Sequence, residues 1–517
     1  MNEQVSLAIM STTETSAVRD LRWLLDGIAD APPVPLAGIS TDSRRLRPGD
    51  LFLACQGAAR HGLEFVDRAL EAGVAAIAWD SATAVTPSIR AGIVMVPVPA
   101  LADRLGELAN RWFDAPSERM TVSGVTGTNG KTTVAFLIAQ CMQLLDRPCG
   151  YMGTLGGGIS TLNRDLGLTT PGCVDLHRKL AEFVALGAGY ASLEVSSHAL
   201  HQKRVDGVRF DSVLFTNLSR DHIDYHGDME AYGETKARFV MDGDVAHRIV
   251  MVDSEFGLRL ANRCVDQRAD NVVAVSTQAE GDAASMTHVH LQAIDSDENG
   301  SNVDVRGSWG STAFHLPLAG NFNVANAALV LAQLLSWDVS LHDAANALSR
   351  VVPPPGRMQK VSADDAGTLP AVYIDYAHTP AGLEAVLATV RDHCKGALWC
   401  VFGCGGDRDQ GKRDEMGKVV SRLADHPVVT SDNPRNEEPE AIIGDVLRGM
   451  PPDTVAIEDR AAAIAYAVAN AADGDIVLVA GKGHEDYQVI GDTRRPFSDY
   501  DVALKCLNER SPARRPR

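Results

Sequence analysis

Short apolar runs alternate with amphipathic stretches along most of the chain, the two-period pattern of α/β domains. From Leu36 to Asp80 the order is strand, loop, strand, helix, strand, with strands at Leu51–Cys55 and Val74–Trp79 and a helix at Phe65–Ala72. After Pro116 a fresh strand, Met120–Val125, runs straight into a glycine-rich loop. Further strands are expected at Tyr190–Val195 and Val213–Thr216, and an apolar helix at Ala327–Leu335. A polar-apolar alternation over 284–318, broken by Asp-Glu-Asn-Gly, reads as a hairpin. Pro353-Pro354-Pro355-Gly356 cannot continue a helix, and strand-helix alternation restarts at Val372. These breaks predict three domains, 1–113, 114–352 and 353–517, the first the smallest.

A length of 517 residues agrees with about three domains, and 45% hydrophobic with 22% charged residues is ordinary for a soluble enzyme. The net charge of -19 opposes binding to nucleic acid or to anionic membranes, though not local binding of a small anion. Nine scattered cysteines, with only Cys400 and Cys404 close together, suggest neither a zinc site nor a disulfide framework. The first residues show no signal-peptide pattern, and no apolar run approaches the ~20 residues that span a bilayer. A cytoplasmic protein without membrane insertion is expected, and a monomer. The tail from Arg510, rich in arginine and proline, reads as disordered.

Residues 122–133 read Val-Ser-Gly-Val-Thr-Gly-Thr-Asn-Gly-Lys-Thr-Thr, after a strand and opening a helix. Gly127 and Gly130 allow backbone N–H groups to converge on phosphate oxygens, Lys131 brings a cation, and Thr132 offers magnesium a hydroxyl. The generic motif would have glycine at position 125, where this chain has valine. In that departure, Thr-Gly-Thr-Asn-Gly-Lys-Thr-Thr resembles the nucleotide loop of the Mur ligases and their folylpolyglutamate synthetase relatives.

The resemblance implies a central P-loop-type ATPase domain with a mostly parallel sheet, a C-terminal Rossmann-like doubly wound domain and a smaller N-terminal α/β domain. Gly127, Thr128, Asn129, Gly130, Lys131, Thr132 and Thr133 would bind ATP. Glu194, in Glu-Val-Ser-Ser-His-Ala-Leu, and His222, in Asn-Leu-Ser-Arg-Asp-His-Ile-Asp-Tyr-His, would bind Mg2+ with Thr132. Lys236, in Tyr-Gly-Glu-Thr-Lys-Ala-Arg-Phe, would be carbamylated to N6-carboxylysine and support the metal; in isolation it is a solvated helix lysine. Carbamylation needs a neutral amine, hence a lysine pKa depressed by burial or by nearby cations. Catalysis would fall to Lys131, Glu194, His222 and Lys236. In Gly-Asn-Phe-Asn-Val-Ala-Asn, Asn321, Asn323 and Asn326 either cap the following helix or, as the resemblance implies, Asn321 and Asn326 lie against the adenine. Gly356-Arg357 and Asp375-Tyr-Ala-His378 match motifs that reach the nucleotide from the C-terminal domain, so Arg357 and Asp375 join the ATP set.

The last domain carries an argument of its own. Three apolar strands end in unusual polar loops: Gly403-Cys-Gly-Gly-Asp407-Arg408-Asp409, Ser431-Asp432-Asn433-Pro434-Arg435, and Gly481-Lys-Gly-His484-Glu485. In a doubly wound sheet all three lie on the carboxyl edge, where ligands bind, and their arginines and carboxylates suit a zwitterionic amino acid. Asp-Asn-Pro-Arg is also ordinary turn chemistry. It resembles the amino-acid-selecting motif of the tripeptide-forming Mur ligases in the version that adds meso-diaminopimelate. Arg435 would pair with the distal carboxylate, which lysine lacks, because a guanidinium suits two-pronged carboxylate recognition. Arg408, Asp432, Asn433, Pro434, Gly481 and Glu485 match the other contacts to that substrate.

Ser43, in Thr-Asp-Ser-Arg, and Thr169, Thr170, Ser196, Gln202 and Arg204 match the family's positions for the UDP-muramoyl dipeptide. This chain reads Arg60-His61-Gly62 where many relatives have Asp-Gly-His or Asp-Gly-Arg, and Leu168 where an asparagine often stands. The implied activity is an ATP-dependent ligase in peptidoglycan synthesis that works through an acyl phosphate, with closure of domains on binding. Competing readings are a lysine-adding ligase, disfavoured by Arg435, and a folylpolyglutamate synthetase, whose phosphate loop normally lies near the N-terminus. A non-catalytic nucleotide-binding scaffold need not keep Lys131, Glu194, His222 and Lys236 together.

Overall fold

The computed structural model describes residues 19–510 except 58–59, 84–91, 164–166, 268–270, 279–285, 298 and 363–368. The first residues and the tail from 511 lie outside the described residues. The chain forms two compact units, Met1–Ser123 with Arg147–Asp211, and Gly124–Asp146 with Ser212–Arg517.

In the first unit, β1 (Gly38–Ser40), β2 (Asp50–Ala54), β3 (Ala76–Asp80) and β4 (Val94–Val98) form a parallel sheet in chain order. Both faces are covered. Leu51, Leu53, Ala76 and Ala78 pack with Leu21, Leu101, Leu108 and Trp112 on one side, and Phe52, Ala54 and Ile77 pack with Val66 and Ala69 on the other. A sheet covered on both faces needs apolar residues at successive positions, which is why Leu51–Ala54 shows no alternation. His61 explains the departure at Arg60-His61-Gly62. Its Nδ1 accepts from Leu63 N at 3.0 Å while the Glu64 carboxylate accepts from His61 N at 3.1 Å, a reciprocal cap on the turn Gly62–Phe65. β5 (Thr121–Thr126) is divided between the units. β6 (Cys149–Gly153) pairs parallel with β8 (Tyr190–Glu194) and antiparallel with β7 (Gly156–Gly158).

The second unit holds β9 (Ser212–Phe215), β10 (His247–Met251), β11 (Val272–Ser276) and β12 (Thr287–Asp297) as parallel neighbours. β13 (Gly300–Gly307) and β14 (Gly310–Leu316) then continue antiparallel. The single hairpin expected over 284–318 is therefore a three-stranded meander. Its second turn, Ser308-Trp309 between paired Gly307 and Gly310, lacks the Asn-Gly or Asp-Gly signature by which the first is recognised. The helix expected at Ala327–Leu335 spans Asn321–Ser336, with Gly320 at its N-cap and no side-chain cap. The three asparagines thus lie inside the helix and do not cap it.

The C-terminal sheet comprises β15 (Gln359–Lys360), β16 (Ala371–Asp375), β17 (Leu398–Phe402), β18 (His426–Val429), β19 (Val455–Ala456) and β20 (Ile476–Ala480). Its order is β15-β16-β20-β17-β18-β19, parallel from β16 onward. Apolar clusters cover both faces, as a doubly wound domain requires. β17, β18 and β20 are adjacent, so the three polar loops leave neighbouring carboxyl ends. A short ribbon, β21 (Tyr487–Ile490) with β22 (Thr493–Pro496), follows. Among the described residues no helix is long and apolar enough to cross a membrane.

Arg460 and Asp499 are wholly buried and joined by two hydrogen bonds of 2.7 and 2.8 Å. Removing one partner strands a charge in the core. Asp499→Ala is expected to destabilise the protein by about 3–5 kcal/mol in urea unfolding, and a double replacement by Met and Leu to recover most of that loss.

Candidate active site

β5 ends at Thr126 and the chain turns through Gly127 (φ 146°) and Gly130 (φ 86°) into the helix Lys131–Leu144. Both glycines are required by space as well as by backbone conformation. A Cβ at 127 would overlap Thr216 Oγ1, and one at 130 would stand 2.5 Å from Asn326 Oδ1. The loop is fastened to the end of β9: Thr128 N donates to Asn217 O at 2.9 Å, and Asn129 N to Asn217 Oδ1 at 3.0 Å. Lys131 Nζ folds back onto Gly127 O at 2.9 Å and Thr128 O at 2.8 Å. The Thr132 hydroxyl accepts from Arg357 Nη2 at 2.9 Å, and Thr133 is buried. Asn326 is buried beside the loop, whereas Asn321 opens its helix exposed. Asp375 is buried, its carboxylate accepting from Met358 N at 2.8 Å and Ala377 N at 2.7 Å. It braces the turn that carries Arg357. Burial raises its pKa, with Arg357 and the two N–H groups opposing.

Lys236 lies on the helix Met229–Met241 and is 1% exposed. Its Nζ donates to Gly127 O at 2.8 Å and sits 4.5 Å from the Tyr232 ring centroid. Burial, then the Lys131 charge, hold its pKa well below the usual lysine value, with Asp221 opposing. The sequence requirement for a depressed amine is thus met, and the solvated-helix reading is excluded. His222 stands in the left-handed region (φ 56°), next to Asp221, whose buried carboxylate lies 3.4 Å from His222 Nε2, 3.1 Å from Lys412 Nζ and 3.8 Å from His378 Nε2. Burial raises the Asp221 pKa, but Lys412, His222 and His378 outweigh it and keep the group ionised. Burial and Lys412 push His378 down to about 4, so it is neutral at pH 7. Sequence reasoning passed over Asp221, Lys412 and Tyr232. Asp221 was visible only as the neighbour of His222.

The three C-terminal loops are stitched together. Gly406 N donates to Asn433 O at 2.9 Å, Asp407 N to Glu437 Oε1 at 2.6 Å, and Arg435 N to Val489 O at 3.1 Å. Arg435 (φ 53°) donates through Nη1 to Gly406 O at 2.7 Å, and Arg408 through Nη1 to Asp407 O at 2.8 Å. Burial and the neighbouring Arg435 both lower the Arg408 pKa. Among the described residues neither guanidinium forms an ion pair, although the pair stands close together on an acidic protein. Asp432 is buried against Gly481, where a Cβ would come 2.6 Å from its Oδ2. Pro434 links Asn433 to Arg435, and Asn433 Nδ2 donates to Glu485 Oε2 at 2.9 Å.

In the other unit a second cluster forms around Glu194, which accepts from Tyr151 Oη at 2.5 Å, Thr154 N at 2.9 Å and Thr154 Oγ1 at 3.1 Å. Thr169 Oγ1 lies 3.2 Å from Thr154 Oγ1, and Thr170 Oγ1 donates to Glu194 O at 2.8 Å. Ser196 caps the helix Ser197–His201. Arg204 bridges Gln202 Oε1 (3.0 Å) and Thr170 O (3.0 Å). Ser43 is buried in the loop after β1, near Arg45, whose 2.8 Å pair with Asp175 ties that loop to the helix Cys173–Ala185.

Residues 125–334 match the Mur ligase middle domain, 356–483 the Mur ligase glutamate ligase domain, and 35–113 the Mur ligase family catalytic domain. The chain belongs to the Mur ligase family. It is similar to the UDP-N-acetylmuramoyl-L-alanyl-D-glutamate–2,6-diaminopimelate ligase of Chromobacterium violaceum, 44% identical over 92% of this chain and 94% of that protein. The Coxiella burnetii ligase of the same name is 42% identical over 92% and 96%. A solved structure of a ligase of that name superposes with a TM-score of 0.64 at 31% identity, covering 95% of this chain and 99% of the other. Folylpolyglutamate synthase of Mycobacterium tuberculosis, solved with ADP and AMPPCP, shares the fold at 19% identity and a TM-score of 0.59, but covers only 73% of this chain and 92% of its own.

Gly127→Ala is expected to weaken nucleotide affinity by at least about tenfold, from strain of about 1–3 kcal/mol at a positive φ with no room for a methyl group. Calorimetric titration with ADP would measure the loss.

Proposed function

We propose that the chain adds meso-2,6-diaminopimelate to the D-glutamyl carboxylate of UDP-N-acetylmuramoyl-L-alanyl-D-glutamate, with cleavage of ATP, giving the UDP-muramoyl tripeptide of peptidoglycan synthesis. The observation that carries this reading is the pair Arg408 and Arg435, close together without a carboxylate partner on a sheet's carboxyl edge. Relatives at 40–44% identity carry the name of that ligase. A lysine substrate would leave one guanidinium unanswered. A folate substrate would give no role to the N-terminal α/β domain, residues 35–113.

In this reading the D-glutamyl carboxylate oxygen attacks the γ-phosphorus of ATP, and the bond to the β-γ bridging oxygen breaks, leaving ADP and an acyl phosphate. The diaminopimelate amine attacks the acyl carbon, and the tetrahedral adduct expels phosphate while the nitrogen loses a proton. Lys131 would neutralise charge developing on the transferred phosphoryl group, and the loop N–H groups would position it. Arg357, which reaches the Thr132 hydroxyl, and the buried Asn326, beside Gly130, would bear on the same nucleotide.

The Thr132 hydroxyl and the His222 imidazole are donors that magnesium could take, and the Glu194 carboxylate is the donor that the family resemblance would add. Among the described residues no group of three or more His, Cys, Asp or Glu could hold a metal. Magnesium, when bound, would neutralise charge on the ATP phosphates. Lys236, as N6-carboxylysine, would place an anion beside it. The buried, depressed amine supports this, because only a neutral amine attacks carbon dioxide.

Phosphate release from ATP and Mg2+ with the UDP-muramoyl dipeptide is expected with meso-diaminopimelate and not with L-lysine. Release with lysine would keep the ligase and remove the role given to Arg435, and release with neither would overturn the reading. Because the amine is largely neutral already below the usual lysine pKa, intact-mass analysis at neutral pH in bicarbonate should show the added mass of one carbon dioxide. Lys236→Ala should abolish that gain and lower kcat by at least about a hundredfold, the scale seen on losing one charge-stabilising group.

A further inference from the structure

Lys482 was not among the residues singled out from the sequence, yet it is one of the few wholly buried lysines in the chain, with 0% exposure. A lysine in that position persists only where its ammonium is answered. Its Nζ donates to Glu485 Oε2 at 2.8 Å and to Asn433 Oδ1 at 3.1 Å, and lies 5.5 Å from the Tyr487 ring centroid. Asn433 Oδ1 also accepts from Val489 N at 2.9 Å, so two donors fix the amide with its NH2 toward Glu485 Oε2, which it reaches at 2.9 Å. The three side chains close a triangle in which every hydrogen bond depends on the other two. Glu485 Oε1 makes no hydrogen bond among the described residues, so this oxygen is left as the acceptor on a carboxylate that is still 15% exposed.

The ground beneath the triangle is equally fixed. Arg460 donates to Ser431 O at 3.3 Å and to Ala480 O at 3.0 Å, the carbonyls from which the loops bearing Asn433 and Glu485 depart. Those loops therefore cannot shift independently to compensate for a lost side-chain bond.

Resting on the diaminopimelate reading above, we propose that Lys482 is a positioning residue for the amino-acid substrate: it locks the Asn433 amide and holds Glu485 so that Oε1 receives the substrate's ammonium. Lys482 itself, being buried, touches no substrate. The same ammonium that a neighbouring carboxylate must hold is the group that distinguishes a zwitterionic amino acid from a dicarboxylic acid. The triangle thus reads the amine while Arg408 and Arg435 read carboxylates.

The test is a steady-state cycle over wild type, Lys482→Met, Glu485→Gln and the double variant, with KM measured for all three substrates. Wild-type turnover with meso-diaminopimelate comes first, and its absence overturns the substrate reading and this proposal with it. Given turnover, Lys482→Met should raise the diaminopimelate KM by at least about tenfold and leave those for ATP and the UDP-muramoyl dipeptide within about twofold. Within the Glu485→Gln background the same change should add less than about threefold, because the two residues act as one unit. An unchanged diaminopimelate KM, an equal rise in all three, or full additivity would each overturn the proposal alone. Should Lys482→Met fail to fold, the double variant, which removes both charges of the buried pair and so strands neither, still decides the question by comparison with Glu485→Gln.

Discussion

Two lysine nitrogens converge on one backbone oxygen. Lys131 and Lys236 both donate to the carbonyl of Gly127, at 2.9 and 2.8 Å, in a space too small for a methyl group. Burial first, and then the Lys131 charge, hold the Lys236 pKa well below the usual lysine value. The loop turns through glycines at positive φ because Thr216 and Asn326 leave no room for a Cβ. Lys236 reaches that carbonyl from the helix Met229–Met241, and Asp221 stands near as the counter-charge that Lys412 pairs with at 3.1 Å. The chemistry proposed for Lys236 depends on this lowering, because only a neutral amine attacks carbon dioxide.

The amino-acid side is organised on the opposite principle. There, charges of the same sign are gathered without an answering partner. Arg408 and Arg435 are held by backbone carbonyls, which fix their direction without neutralising them. Arg413, by contrast, is buried and paired through Nη2 with Glu437 at 2.8 Å and through Nη1 with Asp445 at 2.9 Å. One guanidinium in this region therefore holds the loops together, and two form no ion pair among the described residues. A paired arginine contributes rigidity, and an unpaired one is available for recognition.

Family membership and a fold shared with distant ligases leave open which amino acid is joined, because fold alone does not define a substrate. The residues proposed to select it sit on three loops at adjacent strand ends, stitched by main-chain bonds between Gly406 and Asn433 and between Arg435 and Val489.

The sequence by itself determined the strands it named, such as Leu51–Cys55 and Leu398–Phe402, within a residue or two, but not β6, β7, β10 or β11. The motifs around Lys131, His222, Lys236 and Asp432-Asn-Pro-Arg435 were legible because each is a contiguous run with its own turn chemistry. The second turn of the β12–β14 meander escaped, since Ser308-Trp309 carries no turn signature, and so did the helical register of Asn321 to Asn326. What only the tertiary structure decided were partnerships across long separations: Lys236 under Gly127, Asp221 with Lys412, Lys482 with Asn433. Burial and opposing charge select those pairs, and neither is a property of local sequence, because a lysine in a helix or after a glycine reads the same whether its nitrogen ends in water or in the core.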